Sequence, residues 1–198
     1  KIVLQSIDGD SINKPSARFL HSMVAIGSNI YIFGGYDNNN NDYLDDFYKI
    51  DTTTNNSTKI ALTDNKPSAR SGHSMVAIGS NIYIFGGSQD NGIYFDDFYK
   101  IDTITNISTK IVLQSIDGDS INKPSARSGH SMVAIGTNIY IFGGWNYVVN
   151  RYEIYNDLYK IDINGNSKKI SFNAENITTR YFHTMVVLDN NFYIYGGK

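Results

Sequence analysis

Ser22-Met23-Val24-Ala25-Ile26-Gly27-Ser28-Asn29-Ile30-Tyr31-Ile32-Phe33-Gly34-Gly35 decides the fold, because it returns almost letter for letter at Ser74–Gly87 and Ser131–Gly144. A diverged copy, Thr184–Gly197, ends in Tyr195-Gly196-Gly197. Each copy holds two short apolar runs split by a polar turn (Gly-Ser-Asn, Gly-Thr-Asn or Asp-Asn-Asn). The runs are rich in β-branched and aromatic residues and too short for helices, so each copy reads as a β-hairpin. The closing Gly-Gly lets the backbone turn sharply through positive φ.

Working outward, a third apolar run follows each of the first three hairpins: Asp46-Phe-Tyr-Lys-Ile-Asp51, Asp97-Phe-Tyr-Lys-Ile-Asp102 and Asp157-Leu-Tyr-Lys-Ile-Asp162. Its alternation suits a strand with one buried face. After a polar turn, a fourth run starts with Lys-Ile at 59, 110 and 169, and also at Lys1. The unit is therefore a four-stranded meander, strands a to d, recurring near every fifty residues, as the histidines at 21, 73, 130 and 183 mark. That period points to a radial array of small sheets rather than a helical solenoid. A second period lies over the first: Lys1–Arg18 is repeated without change as Lys110–Arg127, the mark of a duplicated two-blade unit. The repeats run over approximately 14–62, 66–113, 123–171 and 177–198, the last of them partial. Strands a, b and d each appear four times and strand c three times. An unpaired strand b is an aggregation hazard, so the expectation is a piece of a longer chain forming part of a larger ring.

The 198 residues carry 17 basic and 19 acidic side chains, a formal charge of −2, with no block of one sign. Nothing in that balance resembles a nucleic-acid tract or a membrane-surface patch. No apolar run approaches a membrane span. Cysteine is absent, which excludes disulfides and thiolate metal sites. With no signal-peptide start, the expectation leans to the cytoplasm.

Pro-Ser-Ala-Arg, a following His, a hairpin ending in Gly-Gly and then Asp-Phe-Tyr-Lys-Ile-Asp together resemble the kelch repeat, in register across essentially the whole chain. The resemblance implies an all-β fold, a β-propeller of four-stranded antiparallel blades around a central channel. One departure is the Trp that kelch repeats usually carry near strand d. Here that region reads Asn-Ser-Thr-Lys-Ile at 56–60, so outer packing falls to Ile60, Leu62, Ile111 and Leu113.

The resemblance also implies a role, a protein-interaction module whose d–a and b–c loops meet on one face. The Arg before strand a recurs as Arg18, Arg70, Arg127 and Arg180. In kelch propellers that capture acidic peptides, arginines at this position point into the central cup, where each holds a carboxylate bidentately. Tyr36 and Trp145, just after Gly-Gly, match the aromatic wall of such cups, and Tyr147 joins them in the third b–c loop with Tyr152 and Tyr155. Structural ion pairs within the blade are the competing reading of the arginines. Truncating Arg70 and Arg127 separates the two, through lost partner capture or lost stability. The histidines are expected in hydrogen-bonded structural roles, Asp46, Asp97 and Asp157 as turn acceptors, and Asp37–Asp42 as a solvated loop tip.

No enzyme is expected, and no cofactor or metal. Kelch-type copper radical oxidases need a cysteine. The iron-site pattern Glu-x3-Asp-x3-His is broken, since Glu153 and Asp157 are followed by Ile161. A propeller enzyme acting on a sugar or small molecule stands as the alternative, and a self-assembling structural repeat as a third reading.

Overall fold

A computed structural model describes residues 4–6, 9, 11–90, 92–172 and 177–198. The chain is all-β: three full blades and, among the described residues, a fourth sheet of two strands. Strands a lie at Ser22–Ile26, Ser74–Ile78, Ser131–Ile135 and Thr184–Leu188, and strands b at Asn29–Phe33, Asn81–Phe85, Asn138–Phe142 and Asn191–Tyr195. Register follows the hairpins: Ile26 faces Asn29 across a two-residue turn. In the first three turns only the leading glycine takes positive φ, such as +57° at Gly27, whereas Asp189 and Asn190 both take it at +50° and +63°. Twist-matched hairpin turns require one or both of those left-handed positions, and Gly, Asp and Asn fill them.

Strands c occupy Phe47–Asp51, Phe98–Asp102 and Leu158–Asp162, antiparallel to strand b. Strands d are Asn56–Ile60, Ile107–Ile111 and Asn166–Ile170. They end on the Lys-Ile pair that the sequence reading took as their start. The polar Asn-Ser-Thr half belongs to the strand because Ser57, Ser108 and Ser167 are fully buried there. Each is bound to the link that enters the blade: the Ser167 hydroxyl donates to the Asn122 carbonyl at 2.6 Å, and Ser108 to Asn65 at 3.0 Å.

Those links supply a fifth strand that the four-stranded expectation lacked. Gln5–Ser6, Thr63–Asp64 and Gln114–Ser115 pair in parallel with strand d of the blade that follows them. The start of the fourth run at Lys1 lies outside the described residues.

The core lies between blades. One cluster joins Tyr31, Phe33 and Phe47 of the first blade to Ile82, Ile84 and Ile101 of the second, with Ile60 and Leu62 packed against it. The next joins Phe85 and Phe98 to Ile139, Ile141 and Ile161, capped by Ile111 and Leu113. The aliphatic residues expected to replace the missing outer tryptophan do so.

Candidate functional site

Strands a converge on the axis, and the loops at one end form a face. The residue after each Arg bridges to the residue after each Gly-Gly: Phe19 to Tyr36, Ser71 to Ser88, and Ser128 to Trp145. Tyr181 and Lys198 exchange two backbone hydrogen bonds of 3.0 Å in the same way. From these bridges rise three small hairpins, Tyr36–Asp37 with Asp42–Tyr43, Ser88–Gln89 with Ile93–Tyr94, and Trp145–Val148 with Arg151–Ile154.

The arginines beneath this face are structural. Arg127 donates to Asp157 through both terminal nitrogens (Nη2 to Oδ2, 3.1 Å), to the Gly143 carbonyl at 2.9 Å and to Ser125. Arg70 repeats the pattern with Asp97 and Gly86, and Arg18 with Asp46 and Gly34. The Arg70 and Arg127 side chains are 0 % exposed, and their guanidiniums lie 4.1 and 4.2 Å from the ring centroids of Phe95 and Tyr155. This corrects the expectation that Arg18, Arg70 and Arg127 face a partner, because the carboxylates they hold are the protein's own. Asp46, Asp97 and Asp157 are accordingly ion-pair partners of arginine rather than turn acceptors.

The same arginines tie blade to blade through their backbones. Gly35 N–H donates to the Arg70 carbonyl, Gly87 to Arg127, and Gly144 to Arg180, at 2.8–2.9 Å. A Cβ at Gly86 would stand 2.7 Å from the Arg127 oxygen and 2.8 Å from His130 Cε1, so glycine is required there by contact as well as by its φ of +68°. Arg180 departs from the set. It binds the carbonyls of Gly196 and Thr178, but no described carboxylate.

The histidines keep the structural role expected of them. His73, His130 and His183 are buried edge-on against Phe33, Phe85 and Phe142, and each ring faces the backbone of that phenylalanine in a loose hydrogen-bonding contact. Burial, followed by the neighbouring arginine, lowers His73 to about 3 and His183 to about 4, and holds His130 well below the usual imidazole range. They line the axis as neutral packing groups. Asp37, placed in a solvated tip by the sequence, is 1 % exposed and organises its loop by accepting from the backbone N–H groups of Asn39 and Asn40.

What remains on the face is aromatic. Trp145 sits 5.2 Å from Tyr94, 5.5 Å from Tyr152 and 5.8 Å from Tyr181, centroid to centroid. Tyr147, 43 % exposed, packs at 5.0 Å on Tyr152, itself 69 % exposed. Trp145, Tyr152, Ile154, Tyr181, Phe182 and Lys198 line a hollow of about 360 Å³. The Trp145 indole N–H is buried and has no described partner. Tyr36 stands on the first blade between Phe19 and Tyr43. The structure thus joins Trp145 and Tyr147 in one surface, with Tyr36 two blades away. It adds Tyr94, Tyr181 and Phe182, which the sequence reading passed over. For Tyr181 and Phe182 the signal was positional, since Phe19-Leu20, Ser71-Gly72, Ser128-Gly129 and Tyr181-Phe182 are the same repeat position and two of the four are apolar.

Among the described residues no group of three or more His, Cys, Asp or Glu is placed to hold a metal. Glu153 and Asp157, the remnant of the iron-site pattern, are both engaged, by Arg151 and Arg127 respectively. No helix among the described residues is long and apolar enough to cross a membrane.

Radial sheets whose blades lock through Arg, Asp and Gly-Gly, and whose loops gather at one mouth, are those of a β-propeller. Profiles of the kelch motif match residues 17–61 and 69–111, and the KLHDC2/KLHL20/DRC7 Kelch-repeats domain matches residues 114–198. The chain belongs to the kelch-repeat family. It is 30 % identical over 192 residues to Kelch domain-containing protein 3 of Bos taurus, covering 92 % of this chain and 48 % of that protein. It is 32 % identical over 142 residues to the Rho GTPase-activating protein gacHH of Dictyostelium discoideum, covering 69 % of this chain and 9 % of that one. Tip elongation aberrant protein 1 of Schizosaccharomyces pombe is 28 % identical, covering 86 % and 15 %. The chain spans about half the length of the kelch domain-containing relative or less of the others. Kelch-repeat domains are typically protein-interaction modules, and their homologues are generally non-enzymatic.

Proposed function

We propose that the loop face built by the d–a and b–c connections captures a protein partner, with Trp145 as the anchor, Tyr152, Tyr181 and Phe182 as its walls, and Tyr147 and Tyr36 extending the surface. The observation that carries this reading is the exposed aromatic cluster around the 360 Å³ hollow on the loop face, in contrast to the first three blades, whose b and c strands bury Tyr31, Phe33, Tyr83, Phe85, Phe98 and Tyr159. Large, rigid rings with a polar tip give up little conformational entropy on binding and dominate interface hot spots. An acidic peptide is the weaker candidate, because three of the four arginines that would receive it already hold internal carboxylates.

The test compares proteins recovered by the native protein and by Trp145→Ala with Tyr152→Ala, both folded by circular dichroism. The expected result is a partner retained by the native face and lost by the variant, whereas equal recovery would place the binding surface elsewhere.

A further inference from the structure

The rings around Trp145 are one end of an arc that crosses four blades. Phe19 lies 5.3 Å from Tyr36, and Tyr36 4.9 Å from Tyr43. The Tyr43 hydroxyl is a hydrogen-bond partner of the Asp90 carboxylate on the second blade, and burial, followed by the neighbouring Tyr152 and Tyr43, pushes the Tyr94 hydroxyl up to about 12, so the first two hairpins stand side by side. Tyr94 then meets Trp145, Trp145 meets Tyr181, and Tyr181 meets Phe182 at 5.2 Å. Such a row of ring faces is sequence-tolerant by itself, and charge selects what lies on it.

The sign of that charge is set by what the fold has already consumed. The cations under blades one to three are paired internally: Arg18 with Asp46, Arg70 with Asp97, Arg127 with Asp157, and Lys66 with Asp45. Asp42 and Asp90, at the exposed tips of the first two hairpins, have no cation within ion-pair distance among the described residues. Lys198 stands at the opposite end, lining the apolar hollow, with Arg180 held to the Gly196 carbonyl. The arc therefore runs from a hollow suited to an apolar side chain toward rings flanked by carboxylates that no cation neutralises among the described residues.

We propose that this arc is a docking track for an extended basic segment of the partner, one apolar side chain seated against Trp145 and its Arg or Lys side chains laid over Tyr94, Tyr43 and Tyr36 beside Asp90 and Asp42. The quadrupole of an aromatic face attracts a cation, more strongly as water is removed, and a neighbouring carboxylate adds to it. The inference rests on the loop face being the binding surface and gives that surface its partner chemistry.

The experiment uses three synthetic peptides on one scaffold, Gly-X-Gly-X-Leu-Gly-X-Gly-X, with X as Arg, Gln or Glu, titrated against the whole chain. Trp145, the only tryptophan, reports binding by its fluorescence. The Arg peptide is expected to bind at least about tenfold more tightly than the Glu peptide, and to weaken several-fold in Asp90→Asn and with added salt. Binding of the Gln or Glu peptide as tightly as the Arg peptide, still lost in Trp145→Ala, overturns the basic-segment inference and leaves the loop face standing. Binding that Trp145→Ala and Tyr94→Ala both leave unchanged, followed by anisotropy of labelled peptide, overturns the face as well. No binding of any peptide at millimolar concentration overturns the inference.

Discussion

Arg127→Ala should unfold this protein's third blade interface rather than blunt its binding. The guanidinium is 0 % exposed and supplies two bonds to Asp157, one to the Gly143 carbonyl and two to Ser125, over the face of Tyr155. Removing one partner of a buried ion pair typically costs about 3–5 kcal/mol, because the other charge is left uncompensated. The Asp157 side chain is 13 % exposed and so keeps some water, which puts the expected loss near the lower bound, about 3 kcal/mol. For a chain of this length, at roughly 2–4 °C per kcal/mol, the thermal midpoint should fall by roughly 6–12 °C. Circular dichroism melts read it directly, and Arg180→Ala is the internal control. Arg180 occupies the same repeat position without a described carboxylate, so its loss should stay within about 0.5 kcal/mol, as for an exposed substitution. Arg127→Leu combined with Asp157→Leu should recover part of the single variant's loss, since neither charge is then stranded. If Arg127→Ala and Arg180→Ala shift the midpoint equally, the ion pair is not what holds the blade.

Two substitutions separate left-handed backbone from crowding. Gly79→Ala, at φ +60° with open space around it, should cost about 1–2 kcal/mol, whereas Gly86→Ala must also displace the Arg127 carbonyl and should cost clearly more, as urea midpoints will show. Stability should fall on acidification from about 6.5 towards the folded values of the buried histidines, about 3 for His73 and about 4 for His183. Across that window the unfolded chain binds the protons the folded one refuses, so each such histidine adds a slope of at most about 1.4 kcal/mol per pH unit. His73→Gln should flatten the decline in urea midpoints measured between pH 7 and pH 4. Ser167→Ala should cost about 1–3 kcal/mol by leaving the buried Asn122 carbonyl short of its donor, and chemical denaturation will register it.

The blades were legible because each is specified by local signals repeated several times. β-Branched and aromatic runs marked strands a and b, alternation marked strand c, the polar turns marked the hairpins, and Gly-Gly marked the sharp turn that ends strand b. Strand d was misplaced for a physical reason. Its inward position is taken by a serine whose burial depends on a carbonyl arriving from the preceding link, and that long-range partner leaves no trace in apolar periodicity. The short parallel strand escaped notice similarly, since two residues such as Thr63–Asp64 pair chiefly by backbone, and both of these side chains stay exposed.

The candidate site turned on a question that residue type alone leaves open. An arginine before strand a serves a ligand or an aspartate equally well in one dimension; what decides is whether the Asp before strand c folds back beneath it. It does so in each of the three blades where both are described, and the consequence reaches the loop face. Once the arginines are spent on the blades, the face no longer offers a cup of cations. Its character passes to the residues just after each Arg and each Gly-Gly, which the repeat leaves free to vary. There the third and fourth blades carry Trp145, Tyr181 and Phe182 where the second carries Ser88, Ser71 and Gly72 and the first carries Tyr36, Phe19 and Leu20, so at these positions the rings fall on the blades either side of the second. If the face binds as proposed, blade locking and partner choice are coupled through one residue. A substitution that frees Arg70 from Asp97 would loosen the ring and, in the same step, add a cation beside Phe95, shifting the face back towards acidic ligands. Asp97→Asn tests this with the same three peptides: together with a lowered melting midpoint, the preference for Arg over Glu should narrow, and an unchanged preference would show that the buried charges do not set the sign of the face.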